Sequence, residues 1–368
     1  MASATNETKS NNARRDLDRR SQLKEIADVL LFSDHPGNCA DAAVKLQSLF
    51  SSLAGMDGAT GNPADAIGTI LPTGKALSPK DAASCILDAA RTSRFLRGTF
   101  TALREAQQRF SQRPIEVLYA GCGPFAALAI PLTTQFSAAD IRFTLLDTHR
   151  RSLESAQRLV RSLDLDAFVR HYIQGDATSY IHNSNRPLHM VITETMQRAL
   201  VKEPQVAIAL NLVPQLCPGG ILIPEKISVD ACLFDLNKEF LTPSDSDEAV
   251  PHLKALESPR VRIELGRVFE IGVDNVPYLA AMLRKDARSS DARFPAVVLD
   301  VPQDAEKHLR VLLRTEITVF GSAVLREYDS GLTNPAILHE LGSVGNGSRI
   351  EFRYVLDSNP RFTYRWVD

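Results

Sequence analysis

The sequence predicts an α/β protein in three parts: an N-terminal helical region, a parallel sheet covered by helices, and a C-terminal antiparallel β-barrel or sandwich. Three observations predict it. Between Ile115 and Pro224, short apolar runs alternate with helical patterns, the order that gives a parallel sheet buried on both faces. Before that, the apolar spacing is helical in several stretches between Leu23 and Phe110. After Pro224, strand-like runs follow one another, separated by turn signals. The expected divisions are a disordered tail over 1–20, helices over 21–110, a Rossmann-like sheet over 111–224 and a barrel-like part over 225–368.

Residues 1–20 are polar and charged, too poor in apolar side chains to offset the entropy of folding. Leu23–Phe32 and Ala40–Phe50 carry helical periodicity, with a turn signal at His35-Pro36-Gly37-Asn38 between them. Gly55–Pro72 is rich in Gly, Ala and Pro and reads as a loop or short turns. Ser78-Pro79-Lys80-Asp81 starts a helix: Ser as the cap, Pro in the first turn, an acid near the positive end of the dipole. That helix runs through Ile86 and Leu87, and a second helical stretch reaches Phe110. Strands are expected at Ile115–Ala120, Ile141–Asp147, Phe168–Gln174, Leu188–Thr193 and Gly220–Ile223. Helices are expected after the first Gly turn, over His149–Leu163 and from about Pro204 to Leu216. The later strand-like runs include ISVDACLFDL, VRIELGRVFEI, HLRVLLRTEITVFG and RFTYRWV.

Composition excludes several function classes. A formal net charge of -2 gives no reason to expect nucleic acid or an acidic membrane as a partner. No apolar run has the length of a membrane span, and the first residues lack the apolar core of a secretory signal. The five cysteines are odd in number and widely spaced, which fits a reducing compartment, so the cytoplasm is the expected location. No CxxC or HExxH spacing is present, and no metal is expected.

The chemistry gathers at the ends of the expected strands. Val117–Ile130 reads as a strand, then Gly121-x-Gly123, then a helix. Glycine permits a tight turn and close backbone approach to a ligand, and a helix N-terminus offers free N–H groups. A GxG alone is weak evidence, because such turns also simply join strands to helices. The next strand ends in Asp147, whose carboxylate can accept both hydroxyls of a ribose. The third leads to Gly175-Asp176-Ala177, where an acid can accept from an adenine amino group. Either acid could instead cap a helix or sit in an exposed turn. Taken together, three sites at three successive strand ends form the crevice in which an open α/β sheet binds a nucleoside. The pattern is not GxGxxG, so the expected cofactor is S-adenosyl-L-methionine rather than a dinucleotide.

These residues resemble the class I methyltransferases and, more narrowly, the protein arginine methyltransferases. Asp88-Ala89-Ala90-Arg91-Thr92 resembles the D-x-x-R-T segment of that family, which implies that Arg91 meets the cofactor's carboxylate with its planar fork; a surface ion pair is the plainer reading of Arg91. Ala120-Gly121-Cys122-Gly123-Pro124 is similar to the A-G-x-G-P of the type II, symmetrically dimethylating branch. Tyr119 stands where many class I enzymes carry an acid; type II relatives also lack that acid, and the position is counted with the cofactor-binding set. Glu194-Thr195-Met196 and Glu203 resemble the double-Glu loop, which implies catalytic roles for Glu194 and Glu203 and a substrate-side place for Met196. Pro218–Pro224 and Ile350–Trp366 are similar to the stretches before and at the end of the family's barrel. The resemblance covers Ser78 to Trp366 and implies a homodimer.

The Glu pair has a physical logic. A guanidinium stays protonated and presents its donors as a rigid fork, so two carboxylates can clamp it, align one nitrogen and take up its proton. Arg198 lies inside this loop, and two readings are open: an ion pair with one Glu, or a grip on a substrate carboxylate, which a free amino acid has and a peptide chain lacks. The family's aromatic substrate-side loop should fall at Gly331–Pro335, which here reads Gly-Leu-Thr-Asn-Pro. The missing aromatic cap points to a small guanidine such as free arginine in specialised metabolism. The alternatives are a protein arginine methyltransferase, a methyltransferase for another small amine or hydroxyl, and a catalytically silent cofactor-binding scaffold.

Overall fold

The computed structural model describes residues 18–56, 63–239, 262–286, 292–342 and 349–368. Of the tail expected over 1–20, residues 1–17 lie outside these, and residues 18–20 already form the first turn of helix α1 (18–32). The guanidinium of Arg20 fixes that turn by donating from Nε to the carbonyl of Leu163. Leu23, Ile26, Ala27, Leu30 and Leu31, spaced as one helical face, are buried behind it. The turn signal at His35–Asn38 opens the next helix instead: Pro36 takes the first position of α2 (Pro36–Ala54), where its missing N–H costs nothing, and Gly55 ends it in the left-handed region at φ 68.

The stretch expected as a loop over Gly55–Pro72 contains more order. Residues 57–62 lie outside the described residues, but Pro63–Ala66 is a 3-10 turn, and β1 (Thr69–Leu71) pairs antiparallel with β2 (Gly74–Ala76). Three-residue strands are too short to show a period. The cap at Ser78 forms as expected, its Oγ accepting from the Asp81 N–H at 3.1 Å at the head of α3 (Pro79–Ser84). Asp88 caps α4 (Ala89–Arg109) in the same way, through the Arg91 N–H at 3.0 Å.

The central sheet is parallel in the order β5-β4-β3-β6-β7, formed by β3 (Ile115–Ala120), β4 (Ile141–Asp147), β5 (Val169–Gln174), β6 (Met190–Thr193) and β7 (Ile221–Ile223). Every residue of β3, β6 and β7 is buried, as in a sheet covered on both faces. Helix α5 (Arg150–Ser162) packs on β4 and β5, α4 on β3 and β7, and α6 (Gln205–Leu212) on β6. The α-helix expected after the first Gly turn is absent. Residues 124–129 are turns, followed by a 3-10 segment at Ile130–Thr134. Ala126 sits at φ 42, and Pro131 has no N–H to give, so no helical ladder can run through the segment.

After β7 the chain forms two antiparallel sheets. One has the order β13-β12-β8-β9, from β8 (Lys226–Phe234), β9 (Arg262–Gly272), β12 (Arg310–Phe320) and β13 (Ala323–Leu325), with β14 (Ala336–Ile337) also on β12. The other has the order β10-β15-β11, from β10 (Ala292–Arg293), β11 (Val297–Asp300) and β15 (Arg349–Leu356), with β16 (Arg361–Val367) on β15. Phe269 of the first sheet stacks on Tyr354 of the second at 4.8 Å, and Phe294 and Phe362 close around them. Among the described residues two helices interrupt the strands, the single turn α7 (Leu236–Glu239) and α8 (Val276–Asp286). Helix α8 packs against α6 and was not legible as a break in the strand pattern. The expected architecture, a parallel core with helices before it and antiparallel sheets after it, is the one observed.

Candidate active site

A cavity of about 950 Å³, counting space open to solvent, lies at the C-terminal ends of β3, β4, β5 and β6. Its wall contains Arg91, Tyr119, Gly121, Gly123, Asp147, Asp176, Ala177, Glu194 and Glu203. Met196 and Arg198 are not on that wall, Met196 being buried in the core and Arg198 exposed, and neither is the Gly331–Pro335 segment expected on the substrate side.

The glycine turn is built for close approach. Gly121 and Gly123 have φ of 70 and 64, a region that costs other L-residues about 1–2 kcal/mol. A Cβ on Gly121 would overlap Cγ2 of Thr195, in the loop after β6. With no α-helix following it, the turn offers a ligand no helix N-terminus. The turn is instead held by Asp147, whose Oδ2 accepts the Gly123 N–H at 2.9 Å and whose Oδ1 accepts the His149 N–H at 2.8 Å. Each carboxylate oxygen keeps a second lone pair for a ligand. Asp176 is similar: its Oδ1 accepts the Thr178 N–H at 2.8 Å, as in an Asx turn. Burial raises the pKa of both Tyr119 and Cys122, so neither adds charge to the wall.

The two glutamates arrive by different routes. Glu194 follows directly from β6, and Gln205 fixes the peptides on either side of it. The Gln205 side chain accepts the Thr195 N–H at 2.9 Å and donates to the Thr193 carbonyl at 3.2 Å. Glu203 returns to the cavity through a strained loop in which Ala199, Leu200 and Lys202 all have positive φ, at 53, 55 and 67. Four hydrogen bonds impose that path. The Ala199 N–H donates to Thr315 Oγ1 (2.9 Å), and the Tyr354 hydroxyl donates to the Leu200 carbonyl (2.6 Å). The Lys202 N–H donates to the Pro360 carbonyl, and the Lys75 N–H to the Lys202 carbonyl, both at 2.7 Å. The antiparallel sheets and the β1–β2 hairpin thus act as the jig for the second glutamate.

Both carboxylates are buried, Glu194 at 8% and Glu203 at 5% exposure, and their charges are managed differently. Glu194 is ion-paired with Nη2 of Arg91. Glu203 is pushed up to about 7 by burial, against the opposing pull of a Gln197 hydrogen bond, Arg91 and Lys75. Arg198 makes no ion pair with either glutamate among the described residues, so the cation on Glu194 is Arg91. The pair therefore joins a neutralised carboxylate to one that titrates near neutrality.

Several contributors lay outside the sequence reading. The hairpin gives Leu71, Lys75 and Ala76 to the wall, and Gly74 lies so close to the Glu203–Pro204 peptide that a Cβ would stand 2.7 Å from Pro204 N. The 3-10 turn before the hairpin is tied to α5 by an Arg151–Asp65 ion pair, and the hairpin itself meets the residue that caps α5 in a Thr69 Oγ1–His149 Nε2 contact of 3.1 Å. Asp88 Oδ2 accepts from Ser330 Oγ (2.7 Å) and the Gly331 N–H (3.0 Å), drawing the Gly331–Pro335 segment onto the helix that carries Arg91. Among the described residues no cluster of His, Cys, Asp and Glu could hold a metal, and no helix is long and apolar enough to cross a membrane.

Comparison with solved structures finds a similar chain arrangement in a Trypanosoma brucei PRMT1 enzyme–prozyme heterotetrameric complex with AdoHcy. The TM-score is 0.47, with 13% identity over 74% of this chain and 86% of that one. Arabidopsis thaliana protein arginine methyltransferase 10 is also similar, with a TM-score of 0.48 and 11% identity over the same shares of the two chains. No family model and no curated protein matches the sequence.

Proposed function

We propose that this protein is an S-adenosylmethionine-dependent N-methyltransferase acting on a guanidinium, with free L-arginine or another small guanidine as acceptor. The observation that carries the reading is the convergence of Glu194 and Glu203 on one cavity with the glycine turn, Asp147 and Asp176. The donor set suits a nucleoside cofactor. Gly121 and Gly123 leave backbone room that a Cβ on Gly121 would fill, and the acids at the strand ends offer acceptors for hydroxyl and amino groups. When bound, the cofactor supplies an electrophilic sulfonium methyl.

The chain's own residues do the rest. Glu194, fixed by Gln205 on both flanks, orients the guanidinium fork. Glu203, with its pKa near 7, accepts the proton released when an N–H is replaced by N–CH3. Arg91 pairs with Glu194 through Nη2, while Nε and Nη1 remain for the cofactor carboxylate that the family resemblance assigns to it. The small acceptor is favoured by the Gly331–Thr333 turn, which offers no aromatic side chain and is folded back on Asp88. The same reading carries a type II-like glycine turn and a cytoplasmic homodimer, the latter measurable by analytical ultracentrifugation.

Mass spectrometry after incubation with S-adenosylmethionine and either free L-arginine or an arginine-rich peptide tests it. Methylated free arginine is the expected product. Methylation of the peptide alone would move the protein to the protein-modifying reading, and methylation of neither, with cofactor bound, would remove the guanidinium acceptor.

A further inference from the structure

Glu194 and Glu203 answer the guanidinium end of an acceptor and leave its other end without a partner. We propose that Lys75 binds the carboxylate of a free guanidino amino acid and thereby selects the free amino acid over a peptide. This rests on the guanidinium reading above.

Among the described residues, the arginine and lysine side chains on the cavity wall are Arg91 and Lys75. Arg91 is committed to Glu194, whereas Lys75 makes no ion pair among the described residues. Lys75 and Arg198, the other candidate for a carboxylate grip, are both exposed, but only Lys75 stands on the cavity wall. The Lys75 backbone is held from both sides. Its N–H bonds the Lys202 carbonyl at 2.7 Å, next to Glu203, and across the hairpin it pairs with Ile70. Its side chain lies over Gly68, with Cε 2.9 Å from where a Cβ would stand, so a larger residue at 68 would displace it. Lys75 is beyond ion-pair distance of Glu203 yet near enough for its field to lower that pKa. A cation one step removed from a paired acid site fits the carboxylate of a guanidino amino acid, which stands at the far end of a short chain from the guanidinium. A peptide acceptor has neutral amides at that end and would leave the ammonium unanswered.

The test compares L-arginine with its decarboxylated analogue, the same guanidine chain without the carboxylate. Binding of each to wild type and Lys75→Met is measured by calorimetry with S-adenosylhomocysteine present. Methionine keeps most of the stem and removes the charge. The expected result is a Kd for L-arginine raised about 10- to 100-fold, the worth of a charge-assisted contact, with the analogue's Kd changed far less. Any effect of Lys75 on Glu203 acts on both ligands and cancels in the ratio. An equal change for both ligands, or none for arginine, would overturn the assignment of Lys75. If wild type binds neither ligand, the guanidinium reading itself falls and the Lys75 proposal with it.

Discussion

Glu203 makes acceptor binding and fold stability depend on pH in a way that a surface carboxylate would not. Its pKa is raised from 4.5 to about 7, chiefly by burial. A group whose folded pKa is raised contributes its full stability below the unfolded value and loses it as pH climbs through the folded one. At about 1.4 kcal/mol per pH unit of separation, ionised Glu203 costs the fold about 3 kcal/mol between pH 4.5 and 7. Glu203→Gln has no such cost. In urea unfolding, its stability relative to wild type should rise by about 3 kcal/mol from acid to neutral pH and then level off. Binding gives the opposite sign. A guanidinium needs the carboxylate ionised, so below about pH 7 wild-type affinity for L-arginine should rise roughly tenfold per pH unit, with release of one proton, and flatten above it. The variant should bind more weakly and without that slope. Calorimetry in buffers of different ionisation enthalpy reads both affinity and proton release. A wild-type affinity that is flat from about pH 6 to about pH 8, or a stability difference that does not change with pH, would refute the assignment of Glu203 as the titrating partner.

Three further changes test the scaffold of the site. Gly121→Ala meets left-handed strain and the Thr195 methyl together, and should lower unfolding free energy by about 2–4 kcal/mol and weaken cofactor binding. Adding Thr195→Ser removes Cγ2, keeps the hydroxyl on Gln205 and should recover the steric part in the same denaturation assay; no recovery would rule out the contact as the cause. Gln205→Leu leaves the Thr195 N–H without its acceptor inside the protein, costing about 1–3 kcal/mol, and should depress kcat more than the cofactor's KM. Asp88→Ala removes the α4 cap and both bonds to Ser330–Gly331, and thermal unfolding should register a loss of about 1–2 kcal/mol.

The parallel sheet was readable because buried strands are continuous apolar runs and the helices between them keep a 3.6 period, as α5 does with Leu153, Ala156, Leu159 and Val160 buried. The ligand-side residues at strand ends followed from that order. The segment after Gly123 misled because its composition is helical while Pro131 and the left-handed Ala126 forbid a helix. The β1–β2 hairpin was invisible: its strands are three residues long, and its place is fixed by Lys202 and His149, far away in sequence. The path of Glu203 was hidden for a similar reason. Ala199, Leu200 and Lys202 carry no signal for positive φ, and their conformations are imposed by Thr315, Tyr354 and Pro360. Arg198 was the arginine that the sequence placed beside the glutamates, whereas the partner of Glu194 is Arg91, brought in by the distant helix α4.

The most direct test of the paired-carboxylate site is transfer of an isotopically labelled methyl group from S-adenosylmethionine to L-arginine by wild type, Glu194→Gln and Glu203→Gln, with cofactor binding measured on the same samples. The expected result is label on a guanidinium nitrogen with wild type, and a rate at least about 100-fold lower in each variant, the scale of losing one charged contact to a reacting group, with the cofactor still bound. Undiminished transfer by both variants, or no transfer by a wild-type protein that binds the cofactor, would contradict it.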